Sequence, residues 1–317
     1  MNELDHITAG ERERRLVETL HNWPGSEQDL GDHLLEFFVK IQIQTTSYCN
    51  AKCITCPYPE TSSEQSMGIM SPDLFKEIVD QLAGRGVERT SLFLMNEPLV
   101  DRRLEDLTAH LKERVPETVA TIITNGTLLD GDRARALANA GMGEISVSVN
   151  GFSADSYEET MSGLGFDRIV ANLLEVAAAQ AAGELGTMEV RVVALDMGDA
   201  AQRAEEFSDR IGLPVYLKPV TNRAGSVDVD SLDAWPERSR IRRPCQRPFV
   251  KAYVLFDGTM VLCNCDWQRT TVIGKVGEQT LEELWRSPIL DKIRTQHATG
   301  CVPPDSTCGG CDYPGLI

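Results

Sequence analysis

The chain has 317 residues, of which 42% are hydrophobic and 25% charged, with 25 glycines and 15 prolines; this is an ordinary globular profile, long enough for about two domains and a full core, and it excludes a fold that depends on disulfide staples. Lys and Arg number 31 against 48 Asp and Glu, a net charge of −17, which disfavours nucleic acid and anionic membranes as partners and suits small neutral or cationic substrates. No apolar run reaches the ~18 residues of a spanning helix and the polar start MNELDHITAGERERR lacks the apolar stretch of a signal peptide, so a soluble, cytoplasmic protein is expected.

Residues 1–38 read as an N-terminal extension, with helical apolar spacing at Leu16 and Leu20, again at Leu34, Leu35 and Phe38, and a Trp23-Pro24-Gly25 break between them. Packing or a lid is its expected role. From Lys40 onward strands and helices alternate, the signature of βα units on a parallel sheet. Strands are predicted at 40–46, 90–95, 120–124, 144–149, 189–195 and 214–218. Ser71 and Pro72 supply the N-cap and first residue of a helix to about Leu82, and further helices are predicted near 102–113, 131–140, 153–181 and 199–210. Six units over residues 39–225 make a partial (β/α)6 barrel in an α/β fold, with its active site at the carboxyl ends of the strands.

The chemistry-bearing motifs fall at those ends. Cys49-Asn-Ala-Lys-Cys53-Ile-Thr-Cys56 follows the first strand at once, and no other cysteine occurs before Cys245. Buried cysteines used as small hydrophobes would not leave the middle of the chain empty, and an odd total of nine without an export signal points to metal or catalytic use. A closed zinc site takes four ligands; three thiolates in one loop leave a metal position open. Met95-Asn96-Glu97-Pro98 follows the second strand, the turn Thr124-Asn125-Gly126 the third, and Ser148 and Asn150 end the fourth. Arg191 lies on the fifth strand, and Asn222-Arg223-Ala224-Gly225 follows the sixth.

Residues 226–243 show no clear period and read as a linker to a small domain over 244–317. There Ala252, Val254 and Phe256 alternate into a hairpin turn at Asp257-Gly258, a second strand runs from Met260 to Cys263, an amphipathic helix begins near Thr280, and Cys308-Gly-Gly-Cys311 closes the chain. The five histidines lack metal-ligand spacing and read as solvated or structural. Cys301 reads as a bystander, and Asp266 and Trp267 as lining for a substrate pocket.

The C-x₃-C-x₂-C loop behind a first strand resembles that of the radical S-adenosylmethionine (SAM) enzymes. The resemblance implies that Cys49, Cys53 and Cys56 hold three irons of a [4Fe–4S] cluster while SAM takes the fourth and is cleaved by one electron to a 5′-deoxyadenosyl radical. It further implies that Asn96 and Glu97, in place of the family's Gly-Gly-Glu-Pro motif with both glycines replaced, receive the SAM amino group. By the same resemblance Ser148 and Asn150 bind the ribose, and Arg191 forks onto the SAM carboxylate. Thr55 stands where such loops often carry an aromatic, and Tyr58 is the expected substitute. The C-terminal segment resembles the twitch domain, the short form of the SPASM extension, which implies a second [4Fe–4S] cluster on Cys245, Cys263, Cys308 and Cys311. A flavodoxin- or ferredoxin-type electron donor follows from the same resemblance.

Cys265 is left over. It shares the face of Cys263 if the chain stays extended, and a thiol there could return a hydrogen atom to a carbon radical. The expected function is therefore epimerisation of a carbinol stereocentre in a sugar or aminoglycoside, as in radical SAM epimerases. One alternative is oxidation of a sugar or aminocyclitol alcohol to a ketone; aminocyclitol dehydrogenases of the twitch group show the same four-cysteine layout and a similar Asn-Arg-Gly turn. Arg223, always protonated, is assigned to positioning the substrate hydroxyl in either case. The other alternative is peptide maturation, for which the 38-residue extension is shorter than the ~80–90 residues of a leader-binding module.

Overall fold

The computed structural model describes residues 9–21, 34–229 and 244–313. After helix α1 (Ala9–His21), strand β1 (Lys40–Ile43) opens a run of alternating elements: α2 (Tyr58–Thr61), α3 (Pro72–Leu82), β2 (Arg89–Ser91), α4 (Leu104–Arg114), β3 (Val119–Thr124), α5 (Gly131–Asn139), β4 (Met142–Ser148), α6 (Ala154–Thr160), α7 (Phe166–Ala181), β5 (Glu189–Leu195), α8 (Ala200–Ile211) and β6 (Val215–Lys218). The C-terminal part adds α9 (Arg247–Val250), β7 (Lys251–Val254), β8 (Thr259–Val261), β9 (Val272–Lys275), α10 (Leu281–Trp285) and α11 (Pro288–Ala298).

Among the described residues, nine strands form one sheet in the order β6-β5-β4-β3-β2-β1-β7-β8-β9. β1 to β6 pair in parallel, as the expected partial barrel requires. β7 then pairs in parallel with β1, Lys40 opposite Lys251 and Ile43 opposite Val254, while β8 and β9 run antiparallel. The C-terminal part is thus an extension of the barrel sheet beyond β1.

Alternation along the strands assigns the two faces. Ile41, Ile43, Ile122, Ile145, Val192 and Val254 pack outward against the helices in the main core, whereas Gln42, Ser91, Thr121, Ser146 and Arg191 occupy the other register positions and turn inward. Ser71 caps α3 through a bond accepted from the Leu74 amide, and Phe75, Ile78, Val79 and Leu82 form its buried stripe. Each such side chain contributes roughly 1.5–3 kcal/mol of burial, which holds the helix on the sheet.

The expected single helix over 153–181 is two helices. Gly163 at φ 90° sits in the break, and the interruption leaves the carbonyls of Thr160 and Ser162 free to accept the amides of Ile54 and Lys52 in the cysteine loop. Leu16 and Leu20 of α1 pack with Val39, Phe249, Val250 and Ala298, so the N-terminal helix covers the seam between β1 and the C-terminal extension. The Trp23-Pro24-Gly25 break and most of the expected 226–243 linker lie outside the described residues.

Candidate active site

The loops that leave β1, β2 and β3 are bound into one network. Glu97 is 3% exposed, and its carboxylate accepts from Thr124 Oγ1 at 2.6 Å, the Leu99 amide at 3.0 Å and the Asn125 amide at 2.7 Å. Asn125 Nδ2 donates to Asn50 Oδ1 at 2.7 Å, inside the cysteine loop. Gly126, at φ 72°, lets the chain turn here as expected. Burial pushes the Glu97 carboxyl up, against the pull of Thr124, Asn125 and Leu99. Three of about four acceptor positions are spent on the protein, so this carboxylate is mainly a strut. Asn96 accepts from the Leu94 amide at 2.9 Å, and its Nδ2 is buried without a hydrogen-bond partner, a donor left over for a ligand.

Cys49, Cys53 and Cys56 lie at the carboxyl end of β1, held by the amide of Cys56 on the carbonyl of Cys53. Burial pushes the thiols of Cys49 and Cys53 up to about 12, helped by their mutual repulsion with Cys56, and raises Cys56 as well. Tyr58 accepts the Cys49 amide at 2.9 Å and packs beside Leu94, Met95 and Trp267. It buttresses the loop.

Among the other expected SAM-binding residues, Ser148 ends β4 opposite Val193, and Asn150 Oδ1 accepts the Leu195 amide at 3.1 Å, tying the β4 loop to β5. Arg191 is already engaged: it pairs with Glu144, donates to Ser146 Oγ at 3.1 Å, and stacks over Tyr216. Glu144 also holds Arg89 at 3.0 Å. This internal ion-pair chain crosses the inner face of the sheet.

The second group contains five thiols. Cys265 is 1% exposed; its sulfur accepts from Arg247 Nη1 at 3.1 Å, and its amide donates to Cys263 Sγ at 3.1 Å. Thiol hydrogen bonds from Cys263 and Cys311, with Arg247 and Arg223 nearby, hold Cys265 far below the usual thiol range, while the bond with Cys265 and burial push Cys263 and Cys311 up. Cys245 is steadied by its amide on His297 Nδ1 at 3.3 Å, a role for a histidine whose spacing gave no sign of it. Cys301 is exposed, its thiol directed to the Thr299 carbonyl. Asp266 is not free for a ligand, since it accepts from the amides of Thr270 and Thr271, both at 2.9 Å.

Arg223 sits on a turn bound to the closing cysteine segment at Gly310 and Asp312. Its charge acts on Cys56 of the first group and Cys265 of the second. Arg223 and Ala224 have φ of 49° and 58°, left-handed values that cost non-glycine residues energy. Asn222 holds the turn: its amide reaches both Asp312 oxygens at 3.0 and 2.9 Å, its Nδ2 the Gly310 carbonyl at 2.8 Å, and its Oδ1 the Asp312 amide at 3.3 Å.

All-sulfur, half-buried donor sets of three and five suit iron–sulfur clusters. Among the described residues no three His, Cys, Asp or Glu side chains close on one point as a single ion needs, so the fit rests on donor chemistry. A cavity of about 800 Å³ opens at the amino ends of the strands, lined by Arg89, Glu144 and Glu189 among others, on the face away from the cysteine loop.

Residues 43–184 match the radical SAM superfamily, and residues 245–312 match an iron–sulfur cluster-binding domain known as SPASM. The chain thus carries a radical SAM domain followed by a SPASM domain. Its relatives include the S-adenosyl-L-methionine-dependent 2-deoxy-scyllo-inosamine dehydrogenase of Niallia circulans, 23% identical over 278 residues, 87% of this chain and 94% of the relative. Fe-coproporphyrin III synthase of Methanosarcina barkeri is 32% identical over 126 residues, but only 38% of this chain and 31% of that protein are covered. The same fold occurs in BtrN in complex with AdoMet and 2-DOIA, with a TM-score of 0.65 at 21% identity over 88% of this chain and 95% of that one. Streptococcus suis SuiB bound to precursor peptide SuiA shares it with a TM-score of 0.66 at 16% identity, over 84% and 69%.

This radical SAM protein is accordingly an enzyme whose two matched domains are those of SAM and iron–sulfur chemistry. The epimerase expectation is corrected: the relative aligned along nearly the whole chain is a dehydrogenase, and the Cys265 sulfur on which inversion depended is enclosed by Arg247, Cys263 and Cys311. The extended chain assumed past Cys263 turns instead, the Asp266 amide returning to the Cys263 carbonyl at 3.1 Å. No helix among the described residues is long and apolar enough to cross a membrane.

Proposed function

We propose that the protein is a radical SAM dehydrogenase that oxidises a secondary alcohol of an aminocyclitol or related amino sugar to a ketone. The observation that carries this reading is the alignment with 2-deoxy-scyllo-inosamine dehydrogenase over 87% of the chain. The binding of the Arg223 turn, through Asn222, to Gly310 and Asp312 beside Cys311 supports it. The functional units are then 39–225 and 244–317, flanked by the 1–38 extension and the 226–243 linker, in a cytoplasmic enzyme served by a flavodoxin- or ferredoxin-type donor.

In this reading Cys49, Cys53 and Cys56 hold one [4Fe–4S] cluster with SAM, and Cys245, Cys263, Cys308 and Cys311 a second, with Cys265 a fifth thiol at its edge. The bound groups supply hydrogen-atom abstraction by the 5′-deoxyadenosyl radical and an acceptor for the electron that remains. The chain's own residues do the rest. Asn96 offers its unpaired Nδ2 beside the SAM site while Glu97 fixes the loop that carries it, and Ser148 and Asn150 border the ribose position. Arg191 reaches the SAM carboxylate only with those donors that Glu144 and Ser146 leave over. Arg223 donates to the substrate hydroxyl and favours its ionised form, since a guanidinium stays protonated. The buried Leu94, Met95, Tyr253 and Trp267 exclude water between the two thiol groups.

The test is anaerobic incubation of reconstituted enzyme with SAM, reductant and a panel of aminocyclitols that includes 2-deoxy-scyllo-inosamine. A ketone lighter by about two mass units, formed one-for-one with 5′-deoxyadenosine, is the expected product. 5′-Deoxyadenosine release without any ketone across the panel would refute the reading.

A further inference from the structure

Arg247 is a cation with no role in the SAM site. It opens α9, two residues beyond Cys245, and its Nη1 lies 3.1 Å from Cys265 Sγ and 3.8 Å from Cys263 Sγ. Its guanidinium stacks 3.5 Å above the ring of Tyr313. Among the described residues the charged or ionisable groups that interact electrostatically with it are Tyr253, Cys245, Cys263, Cys265, Cys308, Cys311 and the cation Lys251. A guanidinium enclosed in this way is costly unless a counter-charge is close by. Among the described residues, the sulfurs of Cys265 and Cys263 at its Nη1 can supply one.

Two properties of such a contact bear on redox chemistry. The potential of an iron–sulfur cluster depends on the net charge around it and on hydrogen bonds to its sulfurs, and reduction adds a negative charge. A cation that donates to the ligand sulfur of Cys263 and to Cys265 at the cluster's edge therefore stabilises the reduced form more than the oxidised one. We infer that Arg247 is the residue that raises the potential of the second cluster and so makes it an electron sink. It is a positioning residue, acting through the thiolates without touching substrate.

The inference rests on the proposed dehydrogenase reading for its purpose. Oxidation of the alcohol gives up one hydrogen atom to the 5′-deoxyadenosyl radical, one proton from the hydroxyl to solvent, and one electron to the second cluster, which is reduced by one unit. A low cluster potential would leave that electron on the substrate radical.

The experiment is a potentiometric titration followed by electron paramagnetic resonance on the full-length, two-cluster protein without substrate; the second cluster is the signal that SAM does not move. Arg247→Gln is expected to lower its midpoint by at least a tenfold change in the oxidised-to-reduced ratio, about 59 mV for one electron, with Arg247→Lys falling between the two. Unmutated protein labelled with guanidino-¹⁵N arginine is expected to show ¹⁵N coupling to the same signal. Equal midpoints in Arg247→Gln and the unmutated protein at equal iron content would overturn the inference, as would a missing ¹⁵N coupling. Should Arg247→Gln fail to load its cluster, the labelled unmutated protein decides alone. Failure of the dehydrogenase reading is seen separately, as absence of ketone with the midpoint shift intact.

Discussion

Asp312→Ala should uncouple Arg223 from the site while leaving both clusters in place. The turn 223–224 carries two non-glycine residues at φ of 49° and 58°, a cost of about 1–2 kcal/mol each. Against this stand the charged contact of the Asn222 amide with Asp312 and two neutral bonds, Asn222 Nδ2 to Gly310 and the Asp312 amide to Asn222. At about 1.5–3 kcal/mol for the charged bond and about 1 for each neutral one, the latch exceeds the strain by only a small margin. Removing the carboxylate leaves about 2 kcal/mol of bonds against at least as much strain, so the turn relaxes. Reordering Arg223 then costs up to about 2 kcal/mol, up to a roughly thirtyfold loss of turnover, while the thermal midpoint falls by only a few degrees. Adding Ala224→Gly to Asp312→Ala should recover part of the activity, because glycine accepts the left-handed backbone. The assay is anaerobic ketone formation alongside iron content and thermal unfolding. Unchanged turnover in Asp312→Ala, or loss of its iron, would refute the reasoning.

At Gly309 a Cβ would run into the Pro303 and Pro304 backbone, whereas at Gly310 the nearest atom is 3.6 Å away; Gly309→Ala should lose much of the bound iron and Gly310→Ala retain it, as iron and sulfide analysis would reveal. Burial raises the Asp101 carboxyl, but bonding to Arg103 outweighs this and holds it below its ordinary value. A depressed folded-state value contributes stability above the unfolded value of about 3.9 that is lost as pH falls through the folded one. Asp101→Asn should therefore destabilise by about 1–2 kcal/mol at neutral pH and flatten the acid limb of a denaturation series; a gap that persists unchanged below pH 3 would contradict the assignment. Cys53→Ala should abolish 5′-deoxyadenosine release and leave the iron of the second site, and residual SAM cleavage near the unmutated rate would exclude this loop as the SAM centre.

Those parts of the molecule set by short-range pattern were legible in the sequence. Alternation fixed β5 to the residue and β4 to within two residues, Ser71-Pro72 fixed the start of α3, and the spacing Cys49, Cys53, Cys56 placed the first thiol group at the end of β1. Contacts between distant segments were not legible. The break at Met161–Gly165 reads as continuous helix until the cysteine-loop amides claim its carbonyls. Glu97 looks like a ligand in its motif, yet Thr124 and Asn125, 27 and 28 residues on, consume its oxygens. Cys265 looked like a spare thiol because its enclosure depends on Arg247 and Cys311, and Cys311 lies at the far end of the domain. Arg247 and His297 carried no motif at all; a basic residue two positions after a ligand cysteine is the one signal that pointed toward Arg247.

The central claim is that an alcohol carbon gives up its hydrogen atom to SAM-derived radical and its last electron to the protein. A substrate alcohol deuterated at the reacting carbon tests this directly. The account predicts deuterium in 5′-deoxyadenosine together with a ketone that has lost that label. Recovered alcohol of inverted configuration carrying hydrogen from solvent, with no ketone, would contradict it.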